Sequence, residues 1–260
     1  MNTSNAAAFS GLMPKAGTRV VVAGGCGGIG RAFVAAAHAH DMQVIVLDLD
    51  ASIRENPPPQ GVQAIGCNAL HELEVKQAID QVRSTWGACD AFINLVGYTR
   101  ERTPVEHLPS AEWDDILSGT LRSAYLLSRE AIPLLRAGQT PALVHTSSTF
   151  GVRVAMPGYA PYAAAKAGVI NLVRALATEL APVIRVNAVA PGAVQTAFLK
   201  GGTSQPEKSQ RIDVDQLAQA VPLQRIAQPD DIVGPLMFLI GPGSAYMTGQ
   251  TVHVNGGFWS

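Results

Sequence analysis

A glycine run constrains this chain most. Val20-Val21-Val22-Ala23 leads directly into Gly24-Gly25-Cys26-Gly27-Gly28-Ile29-Gly30. Three consecutive valines read as a buried strand. Glycine then permits positive φ angles and removes the Cβ atoms that would keep a ligand off the backbone. A helical pattern follows at Arg31-Ala32-Phe33, so its first N–H groups face whatever lies over the turn. That is an anion site suited to a pyrophosphate. Two glycine spacings fit: Gly25, Gly27 and Gly30 make G-x-G-x-x-G, while Gly24, Gly28 and Gly30 make G-x-x-x-G-x-G. A second apolar strand at 44–47 ends in Asp48. An acid there accepts hydrogen bonds from the adenosine ribose and repels a 2′-phosphate. Leu49 and Asp50 follow with no base, so the expected cofactor is NAD(H) in preference to NADP(H).

The rest of the chain alternates between strand and helix. A polar, proline-rich loop (55–60) precedes a short strand (62–66) and Cys67-Asn68-Ala69. Val75, Ile79, Val82 and Trp86 share a helical face, and 91–97 reads as a buried strand ending at Gly97. Trp113, Ile116, Leu117 and Thr120 share the next helical face, with Ala124 one turn on. A fifth strand (143–146) ends in Ser147-Ser148-Thr149. Val169, Leu172, Val173, Leu176 and Leu180 form another stripe, and a sixth strand (184–189) ends at Pro191-Gly192. The expected fold is α/β: a Rossmann-type, doubly wound parallel sheet with helices on both faces. One domain is expected over 17–260 after a flexible N-terminal extension at 1–16, with about 198–222 as a substrate lid, the alternative being a long surface loop. Ligands of such sheets bind beyond the C-terminal strand ends.

Composition narrows the partners. The net charge of −1 and pI near 6.6 leave no basic footprint for nucleic acid. No apolar run has membrane-spanning length, and the N-terminus lacks the charged-then-apolar pattern of a secretory signal. The three cysteines, Cys26, Cys67 and Cys89, have no metal-ligand spacing and suit a reducing cytoplasm. No metal is expected. Cys26 opens a helix, where a thiol pKa can fall; it reads here as a small residue filling a tight turn.

Tyr162 and Lys166 are four residues apart, hence one turn apart on one helical face. A phenol with a pKa near 10 is a poor base at neutral pH, and an adjacent ammonium stabilises its phenolate. Ser148, at the preceding strand end, is placed to donate to a substrate oxygen. Tyr159 is a competing tyrosine, but Ala163 stands four residues beyond it.

These motifs, in this order, resemble the short-chain dehydrogenase/reductase family over about 17–257. Gly24-x-x-x-Gly28-Ile29-Gly30 is similar to its cofactor turn, and Ser148, Tyr162 and Lys166 to its catalytic Ser, Tyr and Lys. Asn187 and the stretch from Pro191-Gly192 to Thr196 match its segment beside the nicotinamide. Thr248-Gly249-Gln250 and Asn255-Gly256-Gly257 match its C-terminal signature. The resemblance implies hydride transfer between a nicotinamide and a carbonyl or secondary alcohol. Tyr162 would exchange the proton, Lys166 would lower its pKa and hold the ribose, and Ser148 would position the reacting oxygen. Ile29 would meet the pyrophosphate, and Asn68 and Ala69 the adenine. Asn94 and Gly97 would line the cofactor floor, and Val194 and Thr196 would orient the carboxamide. It also implies a homotetramer, with a dimer second, joined through the C-terminal segment.

Several residues depart from the family pattern. Thr120 stands where the family has an Asn that holds a water in the proton relay, so the relay is re-routed or weaker. Asn68 replaces an Asp, Ala23 a Thr, and Leu95-Val96 the usual Asn-Ala. The interval from Ser148 to Tyr162 is one residue longer than in many relatives. The expected substrate walls are Tyr98, Phe150, Val152, Tyr159, Ala193 and the Phe198 region, which suit a modest hydrophobic small-molecule ketone or alcohol. Arg100 and Arg153 are candidates for meeting an anionic group. An in-class alternative is a 3-oxoacyl thioester reductase, an activity that generally uses NADPH. A non-catalytic dinucleotide-binding sensor is the reading from another class.

Overall fold

The computed structural model describes residues 11–200 and 213–259. The expected N-terminal extension lies outside the described residues up to residue 10, and the expected lid does so over 201–212. Seven strands form one sheet: β1 (Arg19–Ala23), β2 (Gln43–Asp48), β3 (Gln63–Gly66), β4 (Ala91–Asn94), β5 (Ala142–Thr146), β6 (Arg185–Pro191) and β7 (Thr251–Val254). Their order is β3-β2-β1-β4-β5-β6-β7, and each neighbouring pair is parallel. The chain winds outward from β1 in one direction, then returns to β4 and winds in the other. A crevice opens where the direction reverses, beyond the ends of β1 and β4.

Both faces of the sheet are covered, which is why its strands read as unbroken apolar runs. Val21, Ile45, Phe92, Leu143 and Val186 point to one side, where they meet Val75, Ile79 and Val82 of α3 (Glu72–Trp86), with Leu127, Leu134, Val173 and Leu180. Val20, Val22, Val46, Ile93 and Val144 point to the other, against Phe33, Val34, Ile232 and Leu236. Those residues belong to α1 (Gly28–Ala39), α5 (Ser123–Arg136), α6 (Ala160–Leu180) and α8 (Asp230–Ile240). Burying each such side chain contributes roughly 1.5–3 kcal/mol. α3 stops at Gly87, whose φ of 68° supplies the left-handed C-cap.

Four elements were not foreseen from the sequence. α2 (Asp50–Glu55) and α7 (Val214–Gln219) are six-residue helices, too short for a period to emerge. α8 is apolar on most sides, and β7 is four residues between glycine motifs. The expected strand 91–97 ends earlier, at Asn94. There the Val96 N–H turns back to donate to Asn94 Oδ1 at 2.9 Å. The helical face through Thr120 is also interrupted. α4 (Ser110–Leu117) passes into a π-helical turn, Ser118–Arg122, before α5 begins.

Candidate active site

The glycine turn sits at the switch point, and sterics separate the two spacings. Gly24 has φ +81°, and a Cβ there would lie 3.1 Å from the Leu95 carbonyl carbon. A Cβ on Gly28 would overlap the Thr196 side chain, and one on Gly30 would overlap the Gly24 carbonyl oxygen. At Gly27 the nearest atom would be 3.4 Å away, an ordinary contact. Gly24, Gly28 and Gly30 are therefore the constrained set; Gly25 is also needed, because a Cβ would press into Val46 at 2.7 Å. α1 starts with no side-chain cap, so its first N–H groups are left for a ligand in the cleft.

Asp48 braces this turn. Its carboxylate accepts from the Cys26 N–H and from its neighbour Leu49 N–H, each at 2.8 Å. Burial pushes its pKa up, and these bonds together with Ser52 pull it down. These three bonds leave about one of the carboxylate's four acceptor sites for a further hydroxyl. Cys26 is buried and its thiol is pushed up to about 12, first by burial and then by Asp48. Burial overcomes whatever lowering the helix terminus gives, so Cys26 is a space-filling residue.

A cleft of about 400 Å³ runs from Asp48 to Phe198. Leu49, Cys67, Asn68 and Ala69 line its Asp48 end. Asn68 Oδ1 accepts from the Leu70 N–H at 3.1 Å, and Glu74 accepts from the Asn68 N–H. Ile29, Gly97, Pro191, Gly192, Val194 and Thr196 line the middle. Pro191 is tied to Thr149, whose hydroxyl donates to its carbonyl at 3.1 Å. Val194 pairs with Ala227. The stretch after β6 thus closes over the glycine turn through Thr196.

Ser148, Tyr162 and Lys166 lie together in this cleft. Ser148 is hydrogen-bonded to Tyr162 and accepts from the Phe150 N–H at 3.2 Å. The Tyr162 ring packs against Phe150, Tyr159 and Phe198, with centroids 5.7–6.5 Å away. Lys166 is 3% exposed, and its Nζ donates to the Thr146 carbonyl at 2.7 Å. The expected lowering of the phenol pKa by Lys166 does not dominate here. Burial pushes Tyr162 up, the Ser148 bond opposes it, and the ammonium lies 5.7 Å from the ring centroid, held by Thr146. Burial draws Lys166 itself down to about 7.

Thr120 lies behind the wall. It is 1% exposed in the π-helical turn, and its hydroxyl has no hydrogen-bond partner among the described residues. A Cβ on Gly97 would sit 3.1 Å from Lys166 Nζ and 3.5 Å from Thr120 Oγ1, so both flank Gly97. Asn94 does not line the floor as expected. It is 3% exposed and turned to His145, at 3.2 Å, leaving Leu95, Val96 and Gly97 as the floor. Val152 and Arg153 are also off the wall, on the exposed side of a 3₁₀ turn at Thr149–Gly151. Arg100 does line the cleft, paired to Asp115 at 2.8 Å and stacked over Tyr98 at 4.5 Å. The Tyr98 hydroxyl donates to the same carboxylate at 2.7 Å. Asp115, Met156, Leu217, Val221 and Phe258 complete the wall. Asp115 is a polar position of α4, off its apolar stripe, and the others sit in loops, an unforeseen helix and the C-terminal segment, where no periodicity marks them.

A cleft at the switch point of a doubly wound sheet, with an uncapped glycine turn and a hydrogen-bonded Ser–Tyr pair over a buried lysine, defines a dinucleotide-dependent oxidoreductase. Comparison with known proteins carries this further. The family described as Enoyl-(Acyl carrier protein) reductase matches residues 24–259. A 3-oxoacyl-[acyl-carrier-protein] reductase FabG of Staphylococcus aureus is 35% identical over 197 residues, 75% of this chain and 76% of that one. The ligand-free aldohexose dehydrogenase of Thermoplasma acidophilum superposes with a TM-score of 0.83 at 26% identity, covering 94% of both chains. A 3-ketoacyl-(acyl-carrier-protein) reductase from Brucella melitensis complexed with NADH gives 0.82 at 25% identity, covering 94% of this chain and 98% of that one. This chain belongs to the short-chain dehydrogenase/reductase family and is an NAD(P)-dependent oxidoreductase.

Proposed function

We propose that the protein transfers hydride between NAD(H) and a secondary alcohol or ketone. The observation that carries the cofactor choice is Asp48. Among the described residues lining the cleft, the basic ones are Arg100 and Lys166, and both belong to its other end. A 2′-phosphate beside Asp48 would meet a carboxylate, with no basic side chain among the described residues lining that end of the cleft; Arg31, within electrostatic reach of Cys26, is hydrogen-bonded to Asn56 at 2.7 Å. Gly24, Gly28 and Gly30 pack the turn so closely on Leu95, Thr196 and its own backbone that only a Cβ-free chain fits, and the uncapped first turn of α1 leaves N–H groups that suit a pyrophosphate. Ile29 would contact it, Asn68 and Ala69 would flank the adenine, and Val194 and Thr196 would hold the carboxamide. When bound, the nicotinamide supplies or accepts the hydride.

The chain's own residues manage the oxygen and the proton. Ser148 donates to the reacting oxygen and fixes its place. Tyr162 transfers the proton from its hydroxyl. Its burial favours the protonated phenol and the Ser148 bond opposes this; proton transfer in either direction is most efficient when the phenol's pKa is brought toward the working pH. Lys166, held by Thr146, steadies the charge that develops on Tyr162. Phe150, Tyr159 and Phe198 exclude water around the phenol. The apolar wall suits a modest hydrophobic substrate. We further expect a homotetramer.

The resemblance to 3-oxoacyl-[acyl-carrier-protein] reductases supports a second reading, reduction of a 3-oxoacyl thioester with NADPH. Nicotinamide absorbance decides between them. Secondary alcohols would be screened with NAD⁺ and NADP⁺, and ketones and 3-oxoacyl thioesters with NADH and NADPH. NAD(H)-linked turnover that falls about 10²–10⁴-fold in Tyr162→Phe supports the first reading. NADPH-linked thioester reduction would overturn the role given to Asp48.

A further inference from the structure

The cleft floor has a support outside the Ser–Tyr–Lys group. Asn94 and His145 are register partners on β4 and β5, and both are buried. The Val96 N–H donates to Asn94 Oδ1 at 2.9 Å. That bond orients the amide, since a backbone N–H needs the oxygen as acceptor. Asn94 Nδ2 therefore faces His145 Nδ1 as a donor, at 3.2 Å. A neutral imidazole has one donor and one acceptor nitrogen, so Nδ1 accepts and the proton sits on Nε2. Nε2 lies 3.0 Å from Ser128 Oγ on α5, and that hydroxyl donates to the Ala124 carbonyl at 2.7 Å. The bonds run one way, from Val96 through Asn94, His145 and Ser128 to Ala124.

This chain of bonds ends at the cleft. Leu95, Val96 and Gly97 line it. Gly24 backs onto Leu95 and Val96, and Gly97 lies against Lys166 Nζ. Movement of this segment therefore shifts the rear of the glycine turn and the lysine's neighbour together. A charged imidazole would oppose a second N–H to Asn94 Nδ2 and bring a cation toward Lys166; burial and Lys166 both hold His145 neutral.

We propose that His145 is a positioning residue for dinucleotide binding: locked as the Nε2–H tautomer, it holds Asn94, and through Asn94 the Leu95–Gly97 floor. The role rests on the reading of the cleft as a dinucleotide site. An ordinary core histidine would pack equally well as either tautomer and leave the floor indifferent to Ser128.

Three measurements on the full chain test this. A long-range ¹H–¹⁵N spectrum should report the neutral Nε2–H tautomer for His145. Amide exchange at Val96 should quicken about tenfold in Ser128→Ala and in His145→Leu, the scale of one lost buried hydrogen bond, while Val21 and Val186 hold. Fluorescence titration should show the Kd for NADH or NADPH, whichever the wild type binds, weakened about five- to twentyfold in the same variants. His145→Gln, with both an acceptor and a donor, should restore part of the loss. If His145→Leu does not fold, Ser128→Ala carries the test. An Nδ1–H tautomer, or unchanged Val96 exchange in Ser128→Ala, overturns the proposal. So does an unchanged Kd in variants of a wild type that binds. A wild type that binds neither dinucleotide fails the site reading itself, and this role with it.

Discussion

Single atoms decide much at the glycine turn. A Cβ on Gly30 would overlap the Gly24 carbonyl, whereas one on Gly27 would make an ordinary contact at 3.4 Å. Gly30→Ala should therefore destabilise the protein by about 1–3 kcal/mol through overpacking and weaken dinucleotide binding. Gly27→Ala should stay within about 0.5 kcal/mol. Urea denaturation and fluorescence titration of both variants would check this, and equal losses would refute it. Lys166 allows a second prediction. Burial takes it from 10.5 down to about 7, so between those values the unfolded chain binds a proton that the folded chain does not. Stability should rise with pH across that window, by a few kcal/mol at order of magnitude. Comparing wild type with Lys166→Met between pH 7 and 8.5, below the range where the buried thiols titrate, isolates this slope. Identical slopes would show that Lys166 is not the source. Tyr162 and Lys166 were legible because a four-residue spacing defines a helical face, and Ser148 because it follows an apolar strand. The strength of their burial was not, since it depends on Phe150, Tyr159 and Phe198 arriving from three separate segments.

At the scale of elements, β5 carries a neutral histidine inside the sheet. His145 falls from 6.5 to about 3, mainly by burial. As pH drops through this interval the unfolded chain gains a proton that the folded chain refuses, so stability is lost toward acid. His145→Asn should flatten the fall in denaturation midpoint between pH 6.5 and 4, even if it lowers stability at pH 7. An unflattened curve would assign acid sensitivity to other groups. The π-helical turn at Ser118–Arg122 is a different case. Ile116, Thr120 and Ala124 lie on the expected face and are buried, but an apolar stripe with a three-to-four residue period tolerates one widened turn. Nothing in the spacing marks the break. It leaves Thr120 with a buried hydroxyl, beside Gly97 and Lys166, that has no partner among the described residues.

The whole molecule is closed by its last strand. β7 joins the sheet beside β6, and Asn187 fastens it: its Nδ2 donates to the Met247 carbonyl at 2.8 Å and its Oδ1 accepts from the Gln250 N–H at 3.0 Å. Asn187 is 1% exposed, so Asn187→Ala would leave both backbone groups without their buried partner. The expected loss is about 2–4 kcal/mol, with quickened amide exchange confined to β7. Global loss without local fraying at β7 would point to a packing defect instead. The same C-terminal segment brings Phe258 to the cleft wall, and Gly256 and Gly257 pack against Val221 and Pro222. The end of the chain thus supports both the sheet edge and the substrate end of the site.

The sequence by itself determined the alternation of strands and helices, the glycine turn, the acid at the end of β2 and the Ser–Tyr–Lys group. Each is a local pattern: a run of β-branched residues, a Cβ-free turn, a fixed helical spacing. Only the tertiary structure decided which glycines are sterically required, that Asn94 turns to His145 and away from the cleft, and that Val152 and Arg153 face outward. It alone decided that Phe150, Tyr159 and Phe198 bury the Tyr162 phenol and that Thr146 holds Lys166. These outcomes depend on atoms that are distant along the chain, and no spacing records them until the sheet brings them into contact.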